Sequence, residues 1–195
     1  MDLRRIRGEV GHEWHRVVIG LGSNIGDSEQ YLVDAAQAIA PQLLKPAISS
    51  PVRSAPIGYP EDSTDFLNAV MTGLSRHAPE DLLASLKAIE QAIGRSLAPR
   101  NSPRVIDCDL LLHGDTTIQR SELTIPHPRL RERWFWLSPL AQLAPGIDIP
   151  DIDTASNLRS PPKTDRPLDL PWKDSSRTVL VRAGINLAPL DGHRC

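Results

Sequence analysis

The chain has 195 residues, 40% of them apolar and 24% charged, which suits an ordinary folded domain and excludes a wholly disordered chain or a coiled coil. Its 22 basic and 24 acidic side chains leave a formal charge of −2, arguing against a generic nucleic-acid or membrane-surface binder. Two distant cysteines, Cys108 and Cys195, supply neither a disulfide framework nor a Cys-x-x-Cys metal site. The amino terminus has no apolar segment of a secretory signal, and no apolar run is long enough to span a bilayer. A cytoplasmic protein without nucleic-acid or membrane partners is the expectation.

Residues 1–15 form a charged arm. Arg16-Val-Val-Ile-Gly-Leu21 predicts a short buried strand, ending in Gly22-Ser-Asn-Ile-Gly26. Asp27 or Ser28 then caps a helix whose apolar face is Leu32, Ala35, Ala36 and Ile39, stopped by Pro41. An extended stretch from Leu43 to Arg53 leads into a loop, Ser54 to Thr64, and Phe66–Leu74 predicts a second long strand. Pro79 opens a helix with Glu80 and Asp81 at its positive dipole end, Leu82, Leu83, Leu86, Ile89 and Ile93 inward and Gly94 as its stop. A polar loop, Arg95 to Pro103, precedes a strand from Arg104 to Leu112. The order β-α-β-β-α-β is that of a ferredoxin-like α+β sandwich, an antiparallel sheet with its helices on one face and the other face left for a site. Pro126 to Ala144 adds an arginine-rich turn and a short helix. From residue 151 to 195 no helical period holds, so this part reads as an irregular or disordered extension to a 16–150 domain, with Thr178–Arg182 as a candidate strand.

The sharpest chemical feature is Asp107 and Asp109. At i and i+2 of a strand both side chains leave one face, with Cα atoms about 7 Å apart, while Ile106, Cys108, Leu110 and Leu112 take the core face. Two such carboxylates repel and need a cation, a proton or open water. Residues 95–133 carry seven arginines against five acids, and Arg95, Arg100, Arg104, Arg129, Arg131, Arg133 and His127 flank the pair. Hard carboxylates beside guanidinium forks suit a magnesium–polyphosphate site; structural salt bridges are the plainer alternative. Phe66 and Asn68 share one strand face and Phe135 follows Arg133. Aromatic faces with an amide can stack and read a flat heterocycle, although both phenylalanines would equally serve a core. Gly20-Leu-Gly22-Ser-Asn-Ile-Gly26 misses the dinucleotide fingerprint, no Walker A sequence is present, and Cys108 faces away from the site.

Five collinear segments carry a resemblance: Ile19-Gly-Leu-Gly-Ser-Asn-Ile-Gly-Asp27, Arg53-Ser-Ala-Pro-Ile-Gly58, Asp65-Phe-Leu-Asn-Ala69, Arg100-Asn-Ser-Pro-Arg-Val-Ile-Asp-Cys-Asp-Leu-Leu111 and Leu123-Thr-Ile-Pro-His127. Together they resemble the 6-hydroxymethyl-7,8-dihydropterin pyrophosphokinases of folate biosynthesis, over about Val17 to Pro150. The resemblance implies the ferredoxin-like fold and transfer of pyrophosphate from ATP, the co-substrate, to the pterin hydroxymethyl group, releasing AMP. It implies that Asp107 and Asp109 hold two Mg²⁺ ions, that Arg95, Arg104 and His127 grip phosphates, and that Arg133 lies near the transferred group. Glu90, Leu110 and Thr124 match positions near the nucleotide. Asn68 would bond the pterin edge between Phe66 and Phe135, with Ser54, Ala55 and Ile57 adding mainly backbone contacts. The loops Ser54–Thr64 and Arg95–Pro103 would close as lids.

Departures from the family pattern are mild: Ser102 replaces a Gly or Ala, Cys108 an aliphatic residue, Asn101 a frequent tryptophan and Phe66 a common tyrosine. A non-catalytic binding or regulatory relative, or another Mg²⁺-dependent nucleotide transferase, are the alternatives. The expected partners are small molecules, with the chain acting as a monomer and no partner named for residues 151–195.

Overall fold

The apolar alternation that begins near Arg16 becomes the central strand of an eight-stranded mixed sheet. The computed structural model describes residues 6–7, 13–56, 64–94, 104–149 and 168–188. In chain order they form β1 (Ile6–Arg7), β2 (Glu13–Ser23), α1 (Ser28–Ile39), β3 (Leu44–Ile48), β4 (Val52–Ser54), β5 (Phe66–Ser75), α2 (Pro79–Ile93), β6 (Asp107–His113), β7 (Ile118–Gln119), β8 (Thr124–Ile125), α3 (Trp134–Leu143), β9 (Leu168–Asp169), α4 (Asp174–Arg182) and β10 (Asn186–Leu187). The first long strand starts at Glu13 rather than Arg16, so Glu13, Trp14 and His15 belong to the sheet and not to a separate arm.

β2 pairs antiparallel with β5 on one side and β6 on the other, and β5 carries both β3 and β4 beyond it. The class is α+β, as the element order predicts. Local signals explain the helices. Asp27 caps α1, its Oδ1 accepting the Gln30 N–H at 3.3 Å, and Pro41 ends it in a 3-10 turn. Pro79 opens α2 and Gly94, at φ 115°, closes it with its N–H returned to the last turn, a left-handed cap that glycine adopts without a Cβ penalty.

The period of two divides β2 between two cores. Val17, Ile19 and Leu21 join Leu32, Val33 and Ile39 of α1 and Leu82 and Leu86 of α2. Val18 points the other way, to a second cluster with Val70, Leu111, Trp136, Leu137 and Leu140. The helices are therefore not confined to one face, as the sequence reading had them. The apolar run of α3 buries itself on the opposite face and narrows the free surface to a cleft beside it.

β6 also departs from simple alternation. Ile19 pairs with Leu110 but Val18 with Leu112, so the register shifts by one residue. Such a bulge reverses which side chains face which core. Leu110 stays with the α1/α2 side while Leu111 and Leu112 both face α3, which corrects the expected placement of Leu112.

The carboxy-terminal segment is ordered over 168–188, a correction to the irregular extension. β9 pairs with β4, β10 adds a parallel strand to β3, and Thr178–Arg182 is part of helix α4 instead of a strand. The β-branched Thr178, Val179 and Val181 favour a strand locally, but Leu180 is fully buried against the first core while Val181 is exposed. Burying Trp172, Leu180 and Ile185 contributes roughly 1.5–3 kcal/mol per large side chain, enough to override weak local propensity. No helix among the described residues is long and apolar enough to cross a membrane.

Candidate active site

Five elements converge on one cleft open to solvent, of about 530 Å³ with that open space included. β2 supplies Gly20, Leu21 and Gly22, and β6 supplies Asp107 and Asp109; Ser54 and Ala55 lie at the end of β4, and β5 brings Phe66 and Asn68. Arg129 and Arg133 approach ahead of α3, which contributes Phe135 and Trp136.

One end is charged. Asp107 and Asp109 sit directly opposite Gly22 and Gly20, so no side chain on β2 crowds the carboxylates. Arg104 Nη1 donates to Asp107 Oδ2 at 2.9 Å, and Arg133 Nη1 lies 3.9 Å from Asp109 Oδ2. Burial, and next the charge of Asp107, push the Asp109 carboxyl up to about 6, with Lys87 and Arg133 pulling it back. Burial, helped by Arg133 and Arg129, lowers His127 to about 4, so its ring is neutral near pH 7. Its Nδ1 accepts the Arg129 N–H at 3.2 Å, which puts the ring proton on Nε2.

An ion pair between buried Glu90 and partly exposed Lys87 supports the aspartates from behind. Leu82, Leu86 and Glu90 are the buried stripe of α2. Glu90 Oε1 accepts the Cys108 N–H at 2.6 Å and the Lys87 ammonium at 2.7 Å, and Lys87 Nζ also donates to the Cys108 carbonyl at 3.2 Å. Both backbone polar groups of Cys108, the residue between the two aspartates, are thereby satisfied from α2. Cys108 itself is fully buried, its thiol pushed up by burial and then by Glu90, which leaves it inert.

The other end is aromatic. The Phe135 and Trp136 rings meet edge to face at 5.4 Å, His127 stands edge-on to Trp136 at 4.9 Å, and the Arg133 guanidinium lies 4.3 Å from the Trp136 centroid. Asn68 is buried, with its Nδ2 donating to Ser54 Oγ at 3.0 Å. The glycines of the failed dinucleotide motif acquire a reason here. A Cβ at Gly20 would fall 2.7 Å from Trp136 Nε1, and one at Gly22 would fall 3.0 Å from Asn68 Oδ1. Gly20→Ala is therefore expected to displace the indole and destabilise the protein by about 1–3 kcal/mol, read as a lower urea midpoint; an unchanged midpoint contradicts that contact.

Of the residues singled out in the sequence, Asp107, Asp109, Arg133, Ser54, Ala55, Phe66, Asn68 and Phe135 line the cleft. Arg104 reaches it through Asp107. His127 stands behind Trp136. Glu90 and Leu110 do not face it: both are buried on the helical side of the sheet, Leu110 in the first core. Thr124 is tied to the Arg120 carbonyl at 3.2 Å and is not a lining residue. Arg95 and Ile57 lie outside the described residues, with the greater part of both expected lid loops. Trp136, Arg129 and the two glycines enter the site without having been assigned to it. Arg129 belongs to the arginine cluster, but the place of Trp136 depends on which face α3 covers.

Guanidiniums, paired carboxylates and aromatic rings lining one cleft suit a ligand that joins phosphate to a planar ring. A family model described as 7,8-dihydro-6-hydroxymethylpterin-pyrophosphokinase (HPPK) matches residues 18–145. A 2-amino-4-hydroxy-6-hydroxymethyldihydropteridine pyrophosphokinase of Aquifex aeolicus is 35% identical over 134 residues, 69% of this chain and 83% of that protein. The protein of the same description from Bacillus subtilis is 39% identical over 134 residues, 67% of this chain and 78% of its own length. The chain belongs to the 7,8-dihydro-6-hydroxymethylpterin-pyrophosphokinase family. Its fold is similar to that of a wild-type Plasmodium falciparum HPPK-DHPS structure, with a TM-score of 0.62 at 14% identity over 75% of this chain. This chain spans 44% of that longer one.

Proposed function

We propose that this protein transfers the pyrophosphoryl group of ATP to 6-hydroxymethyl-7,8-dihydropterin, as a step of folate biosynthesis. The observation that carries the reading is a cleft lined by carboxylates and guanidiniums together with a buried amide and aromatic rings. The pterin hydroxyl oxygen bonds to the β-phosphorus and loses its proton. The bond from that phosphorus to the oxygen bridging it to the α-phosphate breaks, and AMP leaves with that oxygen.

Asn68, steadied by Ser54, offers an amide to the pterin edge, and Phe66 and Phe135 offer faces to its ring. Arg133 and Arg129, which line the cleft, would hold the transferred group, with Arg104 and the neutral Nε2–H of His127 carried in the reading on sequence resemblance. Arg95 and Ile57 are carried in the reading on sequence resemblance alone. Glu90 acts through the β6 backbone instead of touching nucleotide.

Among the described residues no group of three His, Cys, Asp or Glu side chains is placed to hold a metal ion. Two carboxylates without a third side-chain ligand fit Mg²⁺, which keeps waters and takes phosphate oxygens, and the raised Asp109 carboxyl marks charge that a cation would relieve. Asp107 and Asp109 would hold the two ions. When bound, Mg²⁺ neutralises the triphosphate and aligns it for in-line displacement.

Incubation with ATP, Mg²⁺ and the hydroxymethyl dihydropterin is expected to yield AMP and pterin diphosphate in equal amounts. Formation of ADP would replace this reading with single phosphoryl transfer. Pterin binding without nucleotide turnover would favour a binding homologue.

A further inference from the structure

The segment 168–188 lies beyond the residues matched by the family model, yet it is joined to the wall of the cleft. β4 is only three residues long and carries the chain directly into Ser54 and Ala55, both of which line the cleft. On its inner side β4 pairs with β5, with Val52 opposite Asn68 and Ser54 opposite Phe66. On its outer side the partner is β9, with Val52 opposite Asp169 and Arg53 opposite Leu168. The Leu170 N–H continues this attachment by donating to the Pro51 carbonyl at 2.8 Å.

Trp172 anchors the segment. It is 3% exposed, and its Nε1–H donates to the Ser49 carbonyl at 3.0 Å. Ser49 is the residue whose hydroxyl accepts the Val70 N–H of β5 at 3.0 Å, so the indole bonds to the connector between β3 and β4 where that connector is pinned to the sheet. The next residue adds a second tether: the Lys173 N–H donates to Glu29 Oε1 at 2.8 Å and its ammonium lies 3.4 Å from Glu29 Oε2. Downstream, the Ala188 N–H reaches the Ile48 carbonyl at 2.9 Å, holding the end of β3 on its outer side.

A three-residue strand fixed by one neighbour alone is a weakly held edge. With β9, Leu170 and Trp172 in place, β4 and its connector are held from both sides, and Ser54 is presented to Asn68 at a fixed position. The charged end of the cleft draws on β6, Arg104 and Arg133, none of which the segment touches in these bonds. We propose that residues 168–188 form a positioning brace for the aromatic–amide end of the cleft, so that heterocycle affinity depends on docking of Trp172 and β9 while nucleotide affinity does not. This gives the carboxy-terminal extension a role in substrate recognition, and it rests on the pterin reading above for the identity of the probe.

Linkage makes the brace testable in the intact protein: if it favours heterocycle binding, the bound heterocycle must favour the docked brace by the same factor. Calorimetric titration of the full chain with hydroxymethyl dihydropterin, in the presence of a non-hydrolysable ATP analogue and Mg²⁺, comes first. Absence of binding there is evidence against the pterin reading itself. Given binding, hydrogen exchange followed by mass spectrometry is expected to slow at least threefold over 168–172 on saturation with pterin, and to change less than that on saturation with the nucleotide analogue alone. Unchanged exchange over 168–172 in the pterin-saturated protein overturns the brace.

Trp172→Phe supplies an independent arm, keeping an apolar ring but deleting the N–H donated to Ser49. It is expected to raise the pterin KM about three- to tenfold, with the ATP KM and kcat within twofold of the parent. A merely structural role would lower the active fraction, and hence kcat, or move both KM values together; either outcome, or an unchanged pterin KM, overturns the proposal. Should the variant fail to fold, the exchange result on the unmodified protein decides alone.

Discussion

Asp109→Asn is expected to abolish pyrophosphoryl transfer and, in the same molecule, to raise thermal stability at pH 7. The carboxyl is pushed from 3.8 to about 6 by burial and by Asp107, so its charged form is disfavoured by folding. Its favourable contribution is complete below the ordinary carboxylate range and is lost as pH rises through about 6. At pH 7 the ionised group therefore costs about 2 kcal/mol in the metal-free protein, after allowance for its partial exposure. The neutral amide removes that cost, but it also removes a carboxylate proposed to hold Mg²⁺, and turnover should fall by at least about 10²–10³-fold. Metal-free thermal scans at pH 7 and pH 5 check the first half, since the advantage of asparagine should shrink at the lower pH. A variant less stable than its parent at pH 7 contradicts the charge argument, and undiminished AMP release contradicts the metal assignment. Asp107→Ala should lose turnover in the same way.

Glu90→Ala is expected to damage both stability and rate although Glu90 does not face the cleft. Its Oε1 is the acceptor for the buried Cys108 N–H, and leaving that donor without a partner costs about 1–3 kcal/mol. Lys87, 40% exposed, can turn to water, so the broken ion pair adds little. The larger functional effect comes from the Cys108 backbone between Asp107 and Asp109, which loses its carboxylate acceptor and the partner that steadies Lys87 on its carbonyl. Glu90→Gln restores an acceptor without the charge and should recover most of the urea midpoint. If alanine at 90 leaves both midpoint and kcat unchanged, the α2–β6 clamp has no energetic content.

Much of this arrangement was legible in the sequence because it is local. The alternation of β2, the caps of α1 and α2, the shared face of Asp107 and Asp109 and that of Phe66 and Asn68 all follow from period and spacing. What stayed hidden depends on contacts between distant segments. Gly20 and Gly22 resemble a failed nucleotide motif until α3 is seen to place Trp136 over one of them and Asn68 is seen beside the other. Glu90 carried a readable sign, since it continues the i, i+4, i+8 stripe after Leu82 and Leu86, and a carboxylate on an apolar stripe must find buried donors. The helix α4 was masked by β-branched residues whose local preference is reversed by burying Leu180. The order of residues 168–188 likewise depends on strand partners more than a hundred positions upstream.

The bulge in β6 also divides the duties of one strand. Ahead of it, parity assigns alternate residues to chemistry and to the helical core, and a one-residue shift there would turn both carboxylates inward. Behind it, Leu111 and Leu112 stand together beneath α3, forming a step on which the helix carrying Phe135 and Trp136 rests. Volume changes at those two leucines can raise or lower that step, and with it the width of the aromatic end, without moving the aspartates. A single strand is thus split into a segment that presents the two carboxylates to the cleft and a segment that supports the aromatic wall.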